Sequence, residues 1–353
     1  MKTVIHIDKT EITQQPLASQ ILCRNLLNPR GMTFNENGDL IVVEAGSGQE
    51  TISHNGKVTV RDKDTGELKH NLLSGLTAMN MQPKMCRDEI MGLSDIINVT
   101  NTEQEQWLVS FTDYIHGSKV FHLTEAGTEP LFETQGNINS LCFHPQQEAW
   151  YGIKPDTNQV IEFRLNQKEK VVCALPTLDQ GQEAVPVNVI YCHDNDRLLI
   201  SLFSGEFQTD SNKQGVNFLK QQGKIVALDV GSGALTTVVE GLTLPTGIAI
   251  DQTGNLLITE LCKTTLEPLP RDHIPDRAIH GGYQRFSGRL LSVDFANKKV
   301  KELASQLDTP SNIAILGSNI YVSQGMGAHG RRIPHPDGER ALDGFIQIFQ
   351  GNF

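Results

Sequence analysis

The segment NPRGMTFNENGDLIVVEAG, residues 28–46, decides the fold. It begins at a Pro-x-Gly turn, continues through a short apolar stretch, turns at Gly38 and returns through a second apolar stretch that ends at Glu44. Two apolar stretches joined by an Asn-Gly turn predict a β-hairpin. The segment LPTGIAIDQTGNLLITE, residues 244–260, repeats this pattern and places Glu260 where the first copy has Glu44. A recurring hairpin indicates a repeat architecture.

The first stretch of the hairpin occurs six times along the chain. The copies are PRGMTF (29–34), IMGLSDI (90–96), INSLCF (138–143), VNVIYC (187–192), PTGIAI (245–250) and PSNIAI (310–315). Second and third apolar stretches follow each copy, and a fourth follows all but the last. SQILCRNLL (19–27) has the character of this missing fourth strand, and pairing it with the last repeat would close a ring without open edges. We therefore predict an all-β fold, a six-bladed β-propeller with four-stranded blades, closed by an N-terminal strand in the last blade.

The predicted propeller occupies residues 1–353 as a single domain. Its blades are expected at about 28–74, 90–135, 137–176, 186–241, 244–306 and 309–353, the last completed by the closing strand 17–27. Residues 1–16 form an N-terminal extension, in which TVIHI (3–7) is expected to add an outer strand.

Composition excludes several classes of partner. The chain has 41 acidic and 30 basic residues, and no stretch concentrates the basic ones, so a nucleic-acid partner is not expected. Asp8 and Glu11 stand where a signal peptide needs its apolar core, and no run approaches the ~20 apolar residues of a membrane span. We expect a cytoplasmic protein with no membrane partner and a small-molecule substrate. The six cysteines are spread singly, which favours reduced core thiols. Nothing in the sequence sets an oligomeric state.

The long connections are predicted to lie on one face of the ring. We call it the crossover face: it carries the connections from strand two to strand three and from blade to blade, while the turn face carries the short hairpin turns. The long segments are 45–55, 75–89, 203–222, 261–287 and 325–343. Long loops in a compact domain are usually functional, so a pocket is expected over the channel. The methionines of 75–91 (Met79, Met81, Met85, Met91) would line an apolar part of it or pack beneath its roof.

Polar side chains recur at the crossover ends of the hairpins. The first stretches begin with Arg30, Met91, Asn139, Asn188, Thr246 and either Ser311 or Asn312, which are expected to point towards the axis. The second stretches end in Glu44, Phe111, Ile153, Leu202, Glu260 and Gln324. We predict Glu44 and Glu260 as acid–base groups and Arg30 as an anion or oxyanion partner. The predicted substrate contacts of this set are Asn139, Asn188, Asn312 and Gln324.

Asn139, Asn188 and Glu260 also form a candidate metal site. Calcium prefers carboxylate and amide oxygens. The cofactor that the sequence predicts is therefore a divalent cation such as Ca²⁺ in the central channel. The alternative is that these groups cap strand ends and bind water.

Histidines in the loops of the last two blades form a second candidate set. These are His273, His280, His329 and His335. Histidine titrates near neutral pH and can act as a general acid or base. We predict His280 and His329 as catalytic groups, with Tyr283 and Arg331 as substrate contacts; the alternative for each histidine is to anchor its loop.

The hairpins at 28–48 and 244–261 resemble the propeller repeats of NHL-type proteins, most closely the ScyD/ScyE-type proteins. They also resemble the wider superfamily of gluconolactonase, regucalcin and strictosidine synthase. In the lactonases a divalent metal on the axis is held by Glu, Asn and Asp side chains at the starts of inner strands. Asn139 and Asn188 match this set, whereas Arg30 and Thr246 stand in the expected Glu and Asp positions, which Glu44 or Glu260 would have to replace.

The leading functional hypothesis is an enzyme that acts on a small organic molecule in the crossover-face pocket, as a lactonase- or esterase-like hydrolase or an acid–base lyase or cyclase. The alternative is a non-catalytic scaffold that binds a ligand or a protein on the same face. A quinone-dependent sugar dehydrogenase is a third possibility, disfavoured by the lack of a cysteine pair or haem motif.

Overall fold

The structure is a computed structural model. It describes residues 4–48, 52–82, 86–99, 105–113, 117–164, 167–205, 218–265 and 283–351, with the side chains of 81–89 excepted. In this part of the chain the secondary structure is β, apart from two single-turn 3-10 helices at Asp179–Gly181 and His193–Asn195. No helix in these ranges is long and apolar enough to cross a membrane.

Three strands precede the first blade. They are β1 (Ile5–His6), β2 (Ile12–Gln14) and β3 (Ser19–Leu26). The predicted outer strand at 3–7 is present: β1 pairs in parallel with the outermost strand of the fourth blade. β2, which the sequence did not predict, pairs in the same way with the fifth blade. The extension therefore covers the outer edges of two neighbouring blades.

The first three blades have the expected order of antiparallel strands. Blade one contains β4 (Pro29–Phe34), β5 (Leu40–Glu44), β6 (Ser53–Arg61) and β7 (Leu68–Gln82), followed by β8 (Cys86–Met91). Blade two contains β9 (Leu93–Asn98), β10 (Trp107–Asp113), β11 (Gly117–Thr124) and β12 (Gly127–Thr134). Blade three contains β13 (Ser140–His144), β14 (Ala149–Lys154), β15 (Gln159–Phe163) and β16 (Lys170–Ala174).

The last three blades repeat this order. Blade four contains β17 (Pro186–Cys192), β18 (Arg197–Leu202), β19 (Gly223–Asp229) and β20 (Ala234–Leu242). Blade five contains β21 (Pro245–Ile250), β22 (Leu256–Glu260), β23 (Gly288–Asp294) and β24 (Lys299–Leu307). Blade six contains β25 (Asn312–Leu316), β26 (Asn319–Gln324), a hairpin of β27 (Arg332–His335) and β28 (Gly338–Ala341), and β29 (Gly344–Gln350).

The N-terminal strand closes the ring, as predicted. β3 pairs antiparallel with β29, from Gly344 opposite Leu26 to Phe349 opposite Ser19. This pairing supplies the fourth strand of blade six. It ties the two ends of the chain together and removes an edge that would otherwise be open.

Apolar side chains fill the spaces between the blades rather than one central core. Six separate layers of buried residues lie between the six pairs of neighbouring blades. Between blades one and two, for example, Trp107 and Val109 contact Ile41 and Val43, and all four are fully buried. Burial of each such side chain stabilises the fold by roughly 1.5–3 kcal/mol. This explains why each blade repeats the same apolar pattern on both faces of its sheet.

The inner strands contact one another around the axis, and six positions there are equivalent. They are Gly31, Asp95, Ser140, Asn188, Gly247 and Asn312, each followed by a buried apolar residue in its strand. The sequence pattern grouped Asn188 with Arg30, which is one residue out. In the structure Asn188 is equivalent to Gly31, the glycine that follows Arg30. In blade two the equivalent position is Asp95, so Ser94 rather than Met91 corresponds to Arg30. Gly31 is required at its position because a Cβ atom there would lie 2.4 Å from Oδ1 of Asp95.

The close approach at Gly31 generates a stability prediction. Gly31→Ala should lower the free energy of unfolding by about 2 kcal/mol or more, because the added methyl group collides with Asp95 and the inner strand of blade two must shift. Gly231→Ala is the matched control, since the nearest atom to its added Cβ is 3.5 Å away. That control should change stability by no more than about 0.5 kcal/mol. Urea denaturation followed by circular dichroism measures both, and equal stability of the two variants would contradict the packing described for the axis.

Candidate functional site

A β-hairpin extends over the crossover face between blades one and two. Residues 75–89 were expected to form a loop, but β7 continues to Gln82 and pairs with β8, with Met79 opposite Met91. The expectation failed because the apolar alternation of the outer strand continues beyond the blade. Residues 83–85, between these two strands, lie outside the described part of the chain.

A narrow cleft lies beneath this hairpin. Its lining residues are Ile52, Thr77, Ala78, Met79, Met91, Thr112 and Asp113. Met79 and Met91 line this narrow cleft, an arrangement compatible with both alternatives for the methionines, while the side chains of Met81 and Met85 lie outside the described part. Thr112 and Asp113 come from the end of β10, and they add a hydroxyl group and a carboxylate to an otherwise largely apolar wall.

Arg30 reaches the same hairpin from the start of β4. Its guanidinium group donates a hydrogen bond to the carbonyl oxygen of Ile90 at 2.5 Å. Ile90 also lies against Gly48 from the loop after β5, and Gly48 lies against Ala328 from blade six. Arg30 therefore lies under a roof formed by segments of blades one and six.

His329 lies in this roof. Its ring is exposed, and its backbone N–H donates to the carbonyl oxygen of Ser47. Arg331 is half-buried, and its backbone N–H donates to Ala328. The segment beyond it, expected to be a loop, forms β27 and β28, and the Pro-Asp-Gly turn at 336–338 was the signal for this hairpin. His280 and His273 lie outside the described residues.

Aromatic residues cover the other side of the crossover face. Phe203 and Phe218 are partly buried, with ring centroids 5.6 Å apart, and they pack with Met326 on a buried group that includes Tyr283. Tyr283 is itself fully buried. The structure therefore places Tyr283 in the buried support of this surface and leaves Phe203, Phe218 and Met326 as the partly exposed apolar groups.

Glu44 does not face the channel mouth, contrary to expectation. Its side chain is 0% exposed and accepts a hydrogen bond from the backbone N–H of Leu27 at 2.9 Å. Lys57 and Arg61 lie 3.5 and 3.6 Å from its two oxygens. The carboxylate is therefore held between β5, β6 and the end of the closing strand.

The same contact recurs in blades five and six. In each of these blades the side chain at the end of the second strand accepts a hydrogen bond from a backbone N–H. The donor is the residue two positions before the proline that begins the blade. The donor and acceptor pairs are Leu27 with Glu44, Thr243 with Glu260, and Asp308 with Gln324. The residue just before each proline has a positive φ: 56° at Asn28, 52° at Leu244 and 46° at Thr309. Such a backbone conformation is uncommon for residues other than glycine and needs support from its surroundings. These three acceptors therefore anchor the crossovers between blades.

Glu260 and Gln324 have further partners that account for the rest of their polar atoms. Glu260 forms a buried ion pair with Arg289, which is also 3.5 Å from Glu302. The amide nitrogen of Gln324 donates to Gln347. A sequence signal for the structural role was present: each glutamate stands opposite a basic residue on the third strand, Glu44 opposite Lys57 and Glu260 opposite Arg289.

A chain of hydrogen bonds links the inner strands near the axis. Asp95 accepts from the hydroxyl group of Ser140 at 2.6 Å and from the N–H of Leu141 at 2.9 Å. The amide of Asn188 donates to Ser140 at 3.0 Å and accepts from the N–H of Ile248 at 3.0 Å. Blades two to five are joined in this way. Burial raises the pKa of Asp95 to about 6, although these hydrogen bonds oppose the shift.

The predicted metal donors do not come together as a free set. Both polar atoms of the Asn188 amide bond to neighbouring blades, and the carboxylate of Glu260 bonds to Arg289 and Thr243. Asn139 is half-buried and its backbone N–H donates to Ile153. In the described ranges no three His, Cys, Asp or Glu side chains cluster as metal ligands would. These residues therefore do not fit the expected cation.

Asn312 has a local role similar to that of Asn188. Its side-chain oxygen accepts the N–H of Ile313 at 2.7 Å, and its backbone packs against Gly247. The five cysteines whose side chains are described are unpaired, as their spacing predicts, and four of them are buried.

Solved structures of known proteins share this fold. A quinone-bound aldose sugar dehydrogenase from Streptomyces coelicolor is 13% identical, with 93% of this chain and 98% of that chain aligned and a TM-score of 0.56. A luciferin-regenerating enzyme is 12% identical, covering 95% and 96% of the two chains with a TM-score of 0.53. An inactive virginiamycin B lyase from Staphylococcus aureus, solved with quinupristin, is 11% identical, covering 94% and 98% with a TM-score of 0.50.

These likenesses establish a six-bladed β-propeller similar in fold to enzymes that act on small molecules. No family model matches the sequence, and no curated protein matches it. The relationship to NHL-type repeats therefore stays a prediction.

The buried ion pair at Glu260 predicts a large loss of stability on its removal. Glu260→Ala should lower the free energy of unfolding by roughly 3–5 kcal/mol, because Arg289 and the N–H of Thr243 would lose a buried partner. Glu125→Ala, at an exposed glutamate, should cost no more than about 0.5 kcal/mol. Thermal and urea denaturation measure both. Similar losses in the two variants would argue against the anchoring role.

Asp95 predicts a specific dependence of stability on pH. Its carboxyl group keeps its proton up to a pH of about 6 in the folded chain, compared with an ordinary pKa of 3.8. The protonated Asp95 carboxyl group therefore contributes fully to the stability of the fold below its ordinary pKa. This contribution is lost as the pH rises through the pKa of Asp95 in the folded chain.

Relative to Asp95→Asn, the wild-type protein should lose about 3 kcal/mol of unfolding free energy between about pH 4 and pH 7. Urea denaturation at a series of pH values measures the difference, and NMR titration of the Asp95 carboxyl carbon gives the midpoint directly. A constant difference between the two proteins would contradict this description of the axis.

Proposed function

We propose that the protein is an enzyme that acts on a small organic molecule bound on the crossover face. The observation that carries this proposal is the composition of the narrow cleft beneath the β7–β8 hairpin, where methionine side chains adjoin Thr112 and Asp113. The cleft has about 10 Å³ of open space, room for one water molecule or one small group of a ligand whose body would lie on the crossover face. An apolar wall with a few convergent polar groups is the usual composition of a ligand site. Phe203, Phe218 and Met326 extend the partly apolar surface across the channel mouth.

The chemistry that these groups support is proton transfer. A carboxylate such as Asp113 can remove a proton from a substrate or from water, and the hydroxyl group of Thr112 can orient the reacting atom. Arg30 carries a fixed positive charge beneath the same hairpin and can stabilise a developing anion. These roles suit a hydrolase of lactones or esters, or an acid–base lyase or cyclase. Because Glu44 and Glu260 serve as anchors, the proposal replaces them with Asp113 as the acid–base group.

A non-catalytic scaffold that binds its ligand on the same face is the second candidate. It is favoured by the anchoring of Glu44, Glu260 and Gln324, which removes three of the predicted polar groups from the channel mouth. Binding would then depend on the apolar surfaces and on Arg30, without turnover.

Asp113→Asn separates the two candidates. The purified protein is assayed against panels of lactones, esters and aldehyde–amine pairs, and binding is measured in parallel by calorimetry. In an enzyme the substitution should lower kcat by about 100-fold or more while leaving ligand affinity within about threefold, because the amide keeps the shape but cannot accept the proton.

Asp64→Asn, at an exposed turn-face aspartate, is the matched control and should leave both quantities unchanged. Binding without turnover in the wild-type protein would support the scaffold. A wild-type protein that neither binds nor converts any compound in the panels would contradict both candidates.

A further inference from the structure

The turn-face end of the channel contains a second concave surface. It has a volume of about 650 Å³ and is open to solvent, between the inner strands of blades four, five and six. Five isoleucines line it beside polar turn residues; Ile190, Ile250 and Ile315 are partly exposed, while Ile248 and Ile313 are buried behind them. Tyr191 and His193 form its margin on blade four. This surface lies at the opposite end of the inner strands from the cleft beneath the β7–β8 hairpin.

The apolar character continues around the ring at one level. The equivalent positions near the turn-face ends of the six inner strands hold Phe34, Asn98, Phe143, Tyr191, Ile250 and Ile315. Five of the six are large aromatic or aliphatic residues, and none of them is fully buried. Equivalent partly exposed apolar side chains around one opening form a binding surface more readily than scattered ones do.

The turns that surround this opening carry charge of one sign. In the sequence, the six turns that join first to second strands are 35–39, 99–106, 145–148, 193–196, 251–255 and 317–318, and they contain no lysine or arginine. Their described carboxylates are Glu36, Asp39, Glu105, Glu148, Asp194, Asp196 and Asp251. Basic residues such as Lys63 and Lys298 belong to outer turns, which join third to fourth strands, although the side chain of Lys63 lies against Gly38 of the first inner turn. The mouth is therefore acidic even where some carboxylates have local partners, as Asp39 does with Lys69.

Groups behind Tyr191 do not offset this charge. His144 is fully buried against Tyr191, with ring centroids 4.6 Å apart, and burial lowers its pKa, so its ring is neutral at physiological pH. The hydroxyl group of Tyr191 donates to Asp196 at 2.8 Å. This contact holds the tyrosine ring in place at the margin of the concave surface. A fixed aromatic ring beside carboxylates is a favourable partner for an organic cation.

We propose that the turn-face mouth binds an apolar organic cation, in which an ammonium group lies at the acidic turns and the hydrocarbon body lies against the isoleucine walls. The acidic turns favour the positive charge, because clefts lined by charge of one sign concentrate the opposite ion. The isoleucine side chains provide the apolar contact. This site is separate from the crossover-face pocket and does not depend on the function proposed for that pocket.

A matched pair of probes tests the charge preference. Phenylbutylamine and phenylbutyrate have the same apolar body and opposite charge, and their binding to the full chain is measured by calorimetry at several salt concentrations. The amine should bind at least ~10-fold more tightly than the carboxylate, and its affinity should fall as salt rises, because screening weakens its attraction to the turns.

Two substitutions locate the site. Ile250→Lys places a positive charge in the apolar wall and should weaken binding of the amine by at least ~10-fold, because like charges repel. Asp194→Asn removes one carboxylate and should weaken binding of the amine by about two- to threefold. Ile250→Leu keeps the apolar contact and Asp64→Asn changes an outer turn, so both controls should bind as the wild-type protein does.

Hydrogen exchange with and without the amine maps the site even if Ile250→Lys fails to fold. Protection of residues 190–194 and 250–254 in the wild-type protein supports the proposal. Equal affinity for the two probes, wild-type affinity in Asp194→Asn, protection confined to the crossover face, or no detectable binding of the amine would each overturn it.

Discussion

The pairing of β3 with β29 is the interaction on which the rest of the structure depends. Each blade buries its two faces against its neighbours, so no blade is complete unless the ring is closed. Because the first and last segments of the chain share one sheet, opening the ring would expose two apolar layers and two unpaired edges together. Closure therefore fixes the distance between opposite inner strands and gives both ends of the channel a defined shape.

Buried polar groups then hold the blades in register. Glu44, Glu260 and Gln324 support the strained residues before the prolines, while Asp95 and Asn188 link inner strands near the axis. Burying a carboxylate costs free energy unless it is paired and hydrogen-bonded, which explains why the glutamates have basic partners. The most conspicuous acids of the hairpins are therefore part of the framework.

The two ends of the channel differ because different kinds of connection surround them. Longer connections on the crossover face can fold into additional elements, such as the β7–β8 hairpin, and bring Arg30, Thr112 and Asp113 near apolar side chains. Tight turns on the other face leave the strand ends open to solvent. Their polar composition, acidic in this chain, sets the charge of that opening. One ring thus presents two chemically distinct mouths.

The sequence by itself determined the all-β repeat, the number of blades, the closing strand and the concentration of long connections on one face, because apolar periodicity and turn residues act locally. Only the tertiary structure decided which polar residues are enclosed as anchors between strands. Glu44 and Arg30 both stand at hairpin ends in the sequence, yet the first is enclosed between strands and the second lies beneath a hairpin from the same blade. That difference depends on contacts between residues far apart in the chain, such as Leu27 with Glu44 and Asp95 with Ser140, which no local pattern records.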